Sequence, residues 1–188
     1  MADVKITALP AATSLAFTDI VLVTKSPGGA AASNKATLDV LSNGMSVVAR
    51  YSTAAGQSIP NNSDTVINFD VQNYDTHSAV TTGATWHFTA PVQGYYLVAV
   101  FILFAATNTW IDQEYISLTS LINGVGISRL GFSAHHGSAS SIFVGVSGTD
   151  VLQLNAGDTL AIRVTQTSGA ALALHVAADY NYIAITKV

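Results

Sequence analysis

Twelve consecutive residues, Tyr95 to Ala106, carry no polar group beyond the hydroxyls of two tyrosines. No other stretch of the chain constrains the fold as much. A membrane-spanning helix needs about 20 such residues, so the run is too short to cross a bilayer as a helix. Its Val, Ile, Phe and Tyr content fits a strand. It shows none of the apolar-polar alternation of a strand with one wet face. A strand apolar on both faces lies between two packed layers or against another subunit. In a two-layer sandwich the second face of such a strand must be covered from outside. Oligomerisation supplies that cover.

The remainder of the chain shares this shortage of charge. Of 188 residues, 10% are charged and 49% are apolar, against about 25% charged in an ordinary domain. Trp86–Ile111 contains no Asp, Glu, Lys or Arg, and Ala134–Thr149 contains none either. Disorder requires the opposite composition. Nucleic-acid binding requires a basic patch, and the seven scattered Lys and Arg residues make none within a formal net charge of −4. The absence of Cys removes disulfide frameworks, thiol catalysis and thiolate metal sites. No signal-peptide pattern opens the sequence. Obligate interfaces resemble a core cut in half, so the composition points to a soluble chain that hides surface against copies of itself.

Three segments follow from composition. Residues 1–45 hold Lys5, Lys25 and Lys35 and a small-residue loop, Ser26-Pro-Gly-Gly-Ala-Ala-Ala-Ser33. The loop separates an apolar strand at Asp19–Lys25 from a second element at Ala36–Leu41, and the spacing of Leu38, Leu41, Met45 and Val48 fits a short helix. Residues 46–58 read as a linker. Residues 59–188 read as all-β, with strands expected at 66–69, 84–89, 95–105, 115–122, 126–132, 141–146, 150–154, 159–167 and 172–186. Turns are expected at Asn123-Gly124, Ser147–Asp150, Asn155–Asp158 and Ser168-Gly169. Many short strands between regular turns predict a sandwich or jelly roll.

Two family resemblances emerge from these residues. Over 59–188, Ile67-Asn-Phe69 is followed by Asn73-Tyr-Asp75, Thr82-Gly83, Phe88-Thr-Ala-Pro91, Gly94 and Tyr96. Then come Ile122-Asn-Gly124, Leu152-x-Leu-x-x-Gly-Asp158 and Tyr180-Asn-Tyr-Ile-Ala-Ile185. This order resembles the globular head of the complement recognition component and the tumour-necrosis-factor-like jelly roll. The resemblance implies an all-β jelly-roll sandwich that assembles as a compact homotrimer around apolar and aromatic residues. On it, Tyr96, Phe101, Phe104, His175 and Tyr182 are the expected trimer interface. Over 4–44, Val4-Lys-Ile-Thr-Ala-Leu-Pro-Ala-Ala-Thr-Ser-Leu15, Thr18-Asp-Ile-Val-Leu-Val23 and Lys35-Ala-Thr-Leu38 resemble an N-terminal attachment module of tailed-bacteriophage virion proteins. That resemblance implies a virion location and an anchor onto other virion proteins through Leu9, Pro10, Leu15, Ile20, Leu22 and Leu38. No collagen-like Gly-x-y stalk is present, so the complement protein's own role does not carry over.

Together the two halves imply a structural, adhesive protein of a phage virion, a short tail fibre or receptor-binding knob. A capsid decoration or head-fibre protein is the alternative, and a free lectin-like module is a third. Candidate receptor contacts are the polar loop around Trp110, Asp112 and Glu114, together with Tyr74 and Asp75, where an aromatic face beside polar groups suits a host-surface glycan. Asp112 and Glu114 lie two apart, on one face if the segment is a strand. They stand open as a catalytic pair, a cation site or a solvated edge. His135-His136 has no third ligand at suitable spacing. His175, in an apolar late strand, reads as an interior histidine or as an axial residue of a trimer that binds an ion, anion or water. No enzymatic activity, cofactor, nucleic acid or membrane insertion is expected. An ion in a loop or on a three-fold axis is left open.

Overall fold

A computed structural model of the chain describes residues 20–24, 33–37, 46–106, 110–177 and 179–188. The chain divides into two units, Met1–Ser46 and Val47–Val188. In the first, β1 (Ile20–Thr24) and β2 (Ser33–Thr37) form an antiparallel hairpin in which Ile20 pairs with Thr37 and Thr24 with Ser33. Leu38, Leu41 and Met45 of the expected helix and the anchor residues Leu9, Pro10, Leu15 and Leu38 lie outside the described residues, whereas Val48, the last position of that helical spacing, opens a strand, Val48–Ser52. Ile20 and Leu22 lie on β1.

The second unit is a jelly-roll sandwich of two antiparallel sheets. The first sheet has the order β12-β9-β15-β3-β6, made of β12 (Gly145–Leu154), β9 (Gly94–Leu103), β15 (Tyr182–Lys187), β3 (Val48–Ser52) and β6 (Val71–Asp75). The second runs β11-β10-β13-β8-β7: β11 (Val125–Ala134), β10 (Tyr115–Ile122), β13 (Thr159–Gln166), β8 (His87–Thr89) and β7 (Val80–Thr81). β5 (Thr65–Val66) also pairs with β13, and β4 (Ser58–Ile59) with β14 (Leu172–Ala173).

The core between the sheets is aromatic and aliphatic. Trp86, Phe69, Phe88, Tyr96, Ile102, Phe104, Ile116 and Leu118 are fully buried. Phe69 meets Trp86 edge to face at 5.2 Å, and Phe88 meets Tyr96 at 5.6 Å, arrangements that ring quadrupoles favour. The polar handles of Trp86 and Tyr96 are satisfied. Trp86 Nε1 donates to the Phe69 carbonyl at 3.0 Å, and the Tyr96 hydroxyl to the Val92 carbonyl at 2.5 Å. Each such ring removed from water contributes about 2–3 kcal/mol.

The turns follow their residues. Asn123 and Gly124 have φ of 51° and 79°, the two positive values that a type I′ hairpin needs. Asp158 accepts from the Asn155 amide at 2.8 Å and from Asn123 Nδ2 at 2.8 Å, clasping this hairpin tip to the β12–β13 turn. These bonds hold the Asp158 carboxyl below its usual range, with Asn123 the main cause.

Four expectations need correction. The linker 46–58 is not a linker, because β3 lies inside it. Val47, Ala49 and Tyr51 face the core while Val48 and Arg50 face outward, and β3 pairs with both β15 and β6. The turn at Ser147–Asp150 does not form. Those residues run through the middle of β12, joining two strands expected separately. The single late strand 172–186 is broken into β14 and β15 by buried Asn181. Its Oδ1 accepts from the Leu103 amide at 2.9 Å and its Nδ2 donates to the His175 carbonyl at 2.6 Å, occupying backbone groups that a continuous strand would have paired. Finally, the apolar run is not buried on both faces by its own chain. β9 alternates, with Tyr96, Val98, Val100 and Ile102 inward and Tyr95, Leu97, Ala99, Phe101 and Leu103 outward.

Candidate functional site

Pairing register places that outward set within a broad apolar face. Phe101 stands opposite Tyr182, Ala99 opposite Ala184 and Leu97 opposite Thr186. On the far side of β15, Ala184 meets Arg50 and Thr186 meets Val48, and Arg50 meets Tyr74 of β6. On the other flank Leu97 meets Val151, Ala99 meets Thr149 and Phe101 meets Ser147. Opposite residues of an antiparallel pair share a face, so these side chains form one surface. Tyr95 is 55% exposed, Val151 52% and Tyr74 49%.

Among the described residues of that face the sole formal charge is Arg50. Its guanidinium carbon lies 4.6 Å from the Tyr182 ring centroid, and Nη1 donates to Asn73 Oδ1 at 3.4 Å. The cation is thus laid down against an aromatic ring, where it interrupts an apolar surface least. At the Leu103 end the face continues into an aromatic group. His175 meets Phe143 at 5.4 Å and Tyr180 at 5.2 Å, both edge to face. Its Nδ1 accepts from the Ala177 amide at 3.1 Å, and its own amide donates to the Leu103 carbonyl at 2.8 Å.

The five residues expected at a trimer interface separate into two groups. Phe101, Tyr182 and His175 lie on this face or at its end. Tyr96 and Phe104 do not. Both are wholly buried inside the sandwich and have no side-chain surface left to offer. Tyr95, Leu97, Val151 and Arg50 lie on this face instead. The signal for Tyr95 and Leu97 was the alternation within β9, hidden because both of its faces are apolar.

The loop expected to contact a receptor is arranged differently from the sequence reading. Trp110 is fully buried. Its backbone exchanges two hydrogen bonds with Ser140, at 2.9 and 3.0 Å, and its ring cannot stack on a sugar. Asp112 is exposed. It accepts from the Gly137 amide at 3.2 Å and lies 3.6 Å from His136 Nδ1. The Gly137 bond is the main reason its carboxyl titrates low. Glu114 instead accepts from the Ile111 amide at 2.8 Å. The two carboxylates therefore serve different backbone donors, each closing a loop. Asp75 is structural as well. It accepts from the Tyr51 hydroxyl at 3.1 Å and from the amides of His77 and Ala79 at 3.1 and 2.8 Å. Tyr74 points the other way, onto the apolar face. Among the described residues no three His, Asp or Glu side chains converge as a metal ion would require.

No protein-family model matches the chain, and comparison with curated proteins found no relative. Solved structures do resemble it. Eiger, a tumour-necrosis-factor protein from S. frugiperda, is 18% identical over 76% of this chain and 92% of that chain, with a TM-score of 0.55. Murine APRIL is 12% identical over 76% of this chain and 99% of that chain, with a TM-score of 0.53. At these identities the likeness is one of fold. The second unit is a tumour-necrosis-factor-like jelly roll.

Proposed function

We propose that the chain is a homotrimeric binding module of a tailed-phage virion. In this reading the first unit fastens it to other virion proteins, and the jelly roll serves host attachment as a short tail fibre or receptor-binding knob. The observation that carries self-association is the outer face of the first sheet, which is apolar, contiguous, nearly uncharged and uncovered by the second unit's own described residues. Obligate interfaces have that character. The sequence resemblance over 59–188 implies three copies, and Phe101, Leu97 and Tyr182 stand where such copies would pack. The virion reading is supported by the resemblance over 4–44. Asp112 and Glu114, the two carboxylates weighed as a catalytic pair, each accept from a separate backbone amide.

Sedimentation equilibrium of the purified protein at micromolar concentration tests the assembly, with a mass of three chains expected. A single-chain mass overturns it. Imaging of virions with a labelled antibody tests location. Label at the tail supports the attachment reading, label over the capsid replaces it with a decoration protein, and absence of label removes the virion assignment.

A further inference from the structure

The outward surface of the second sheet carries an irregular strand pairing. β10 and β11 lose register twice. Leu118 pairs with Gly131 and Thr119 with Arg129, so Leu130 has no counterpart. Ser120 pairs with Ser128 and Leu121 with Gly126, so Ile127 has none. Residues three apart in an unbroken strand point to opposite faces. The bulge at Leu130 rephases β11, so that Arg129 lies opposite Thr119 and Phe132 opposite Ser117, on the same face as Tyr115. Bulges commonly re-aim side chains in this way.

The product is a three-rung ladder. Phe132 stacks on Tyr115 with centroids 5.2 Å apart and planes at 30°, and the Arg129 guanidinium carbon lies 5.3 Å from the Phe132 centroid. Phe132 is 51% exposed, so much of its surface still faces water. Arg129 has no ion pair among the described residues, and its contact with the ring uses none of its N–H donors. Nearby acids are committed elsewhere. Asp64 pairs with Arg163 at 3.0 Å and accepts from the Thr165 hydroxyl at 2.6 Å, and Asp150 accepts from the Ser128 hydroxyl at 2.6 Å.

We propose that the Tyr115–Phe132–Arg129 ladder binds a carboxylated saccharide of the uronic-acid or sialic-acid class. A guanidinium fork matches a carboxylate bidentately, and a half-exposed ring offers an apolar face to the C–H side of a sugar. The Phe132 ring lies 51% exposed on the open face of the sheet, which suits a saccharide lying flat better than a peptide that must seat side chains. With a net charge of −4 the chain as a whole repels polyanions, so affinity depends on this one cation. The proposal names the ligand of the binding module inferred above and rests on that reading.

Calorimetric titration tests it with tetragalacturonate, tetrameric sialic acid, neutral tetragalactose and hexaglutamate peptide. The wild type is expected to bind at least one acidic saccharide, and the neutral one not at all. Arg129→Gln and Phe132→Ala should each weaken binding by about tenfold or more, with Arg129→Lys between them and wild type. All of these leave buried residues untouched, and unchanged melting temperatures would show it. Loss of binding to both acidic saccharides, equal binding by Arg129→Gln, or equally tight binding of hexaglutamate overturns the proposal. Sedimentation of the same samples separates the two ideas. A trimer that does not bind removes the ladder site alone, whereas a monomer that binds removes the trimer and leaves the site.

Discussion

Gly148 of β12 lies directly against the Leu130 carbonyl of β11, with no room for a methyl group between them. The Cβ position of Gly131 is filled in the same way by the Ser147 carbonyl. Two edge strands from opposite sheets thus touch backbone to backbone and close one side of the sandwich. Gly148→Ala forces them apart. Overpacking of this kind costs about 1–3 kcal/mol, and a urea denaturation midpoint lowered to match is expected.

On the outward face of β9, Leu97→Asp or Phe101→Asp places an ionised group where copies of the chain would meet. A buried unpaired charge costs several kcal/mol. Both variants should sediment as single chains while keeping the wild-type β-sheet circular dichroism, because neither residue contributes to the core between the sheets.

Trp110 and Tyr74 provide opposite outcomes. Trp110→Ala removes a fully buried ring and should cost about 3–5 kcal/mol. Tyr74→Ala removes a half-exposed ring from the outer face and should change the stability of isolated single chains by no more than about 0.5 kcal/mol. Thermal melts of both variants in the Leu97→Asp background check this without interference from assembly.

Asp158 confers pH dependence. Its folded carboxyl titrates below the unfolded value, chiefly through Asn123 and also through Asn155. The unfolded state therefore binds its proton first as pH falls. The stabilisation is present above the ordinary carboxylate range and is lost as pH falls through the folded value. Asp158→Ala should be less stable than wild type at neutral pH, with the difference shrinking towards strongly acid pH in a series of denaturant melts.

Tyr51 works at the alkaline end. Burial, first, and its hydrogen bond to Asp75 push the phenol up to about 12. The stability this contributes is complete below the unfolded phenol value near 10 and is lost as pH rises through about 12. Burial also raises the Tyr96 phenol, so ultraviolet titration should show more than one late phenolate, of which Tyr51→Phe removes one, a change that removes one hydrogen bond and costs about 1 kcal/mol.

Strand order and turns were legible wherever their cause is local. Asn123-Gly124 must adopt positive φ, and Pro91 and Gly94 must separate β8 from β9, whatever else surrounds them. The errors arise where the cause lies far along the chain. Gly148 resembles a turn residue by composition, yet it is small because of Leu130 in another strand. Val47–Tyr51 alternates correctly, but its partners are β15 and β6, and the polar residues after it mask the pattern. Trp110 sits among polar neighbours that give no hint of Ser140 closing over its segment. Arg129 and Phe132 are three apart, a spacing that an unbroken strand would place on opposite faces, and the bulge that brings them together is defined by the partner strand and not by the strand that carries it.

β15 occupies the middle of the first sheet, with β9 on one side and β3 on the other. Without residues 182–187 that sheet is two separate pieces, β12-β9 and β3-β6. Closure must therefore wait for contacts distant in sequence, the slow kind. The same six residues carry Tyr182, Ala184 and Thr186, the central column of the outward face. During synthesis a chain still short of Tyr182 has neither a finished sheet nor a surface on which copies could meet. Completion of the first sheet and completion of the outward face on which the proposed copies would meet are thereby fixed to one event.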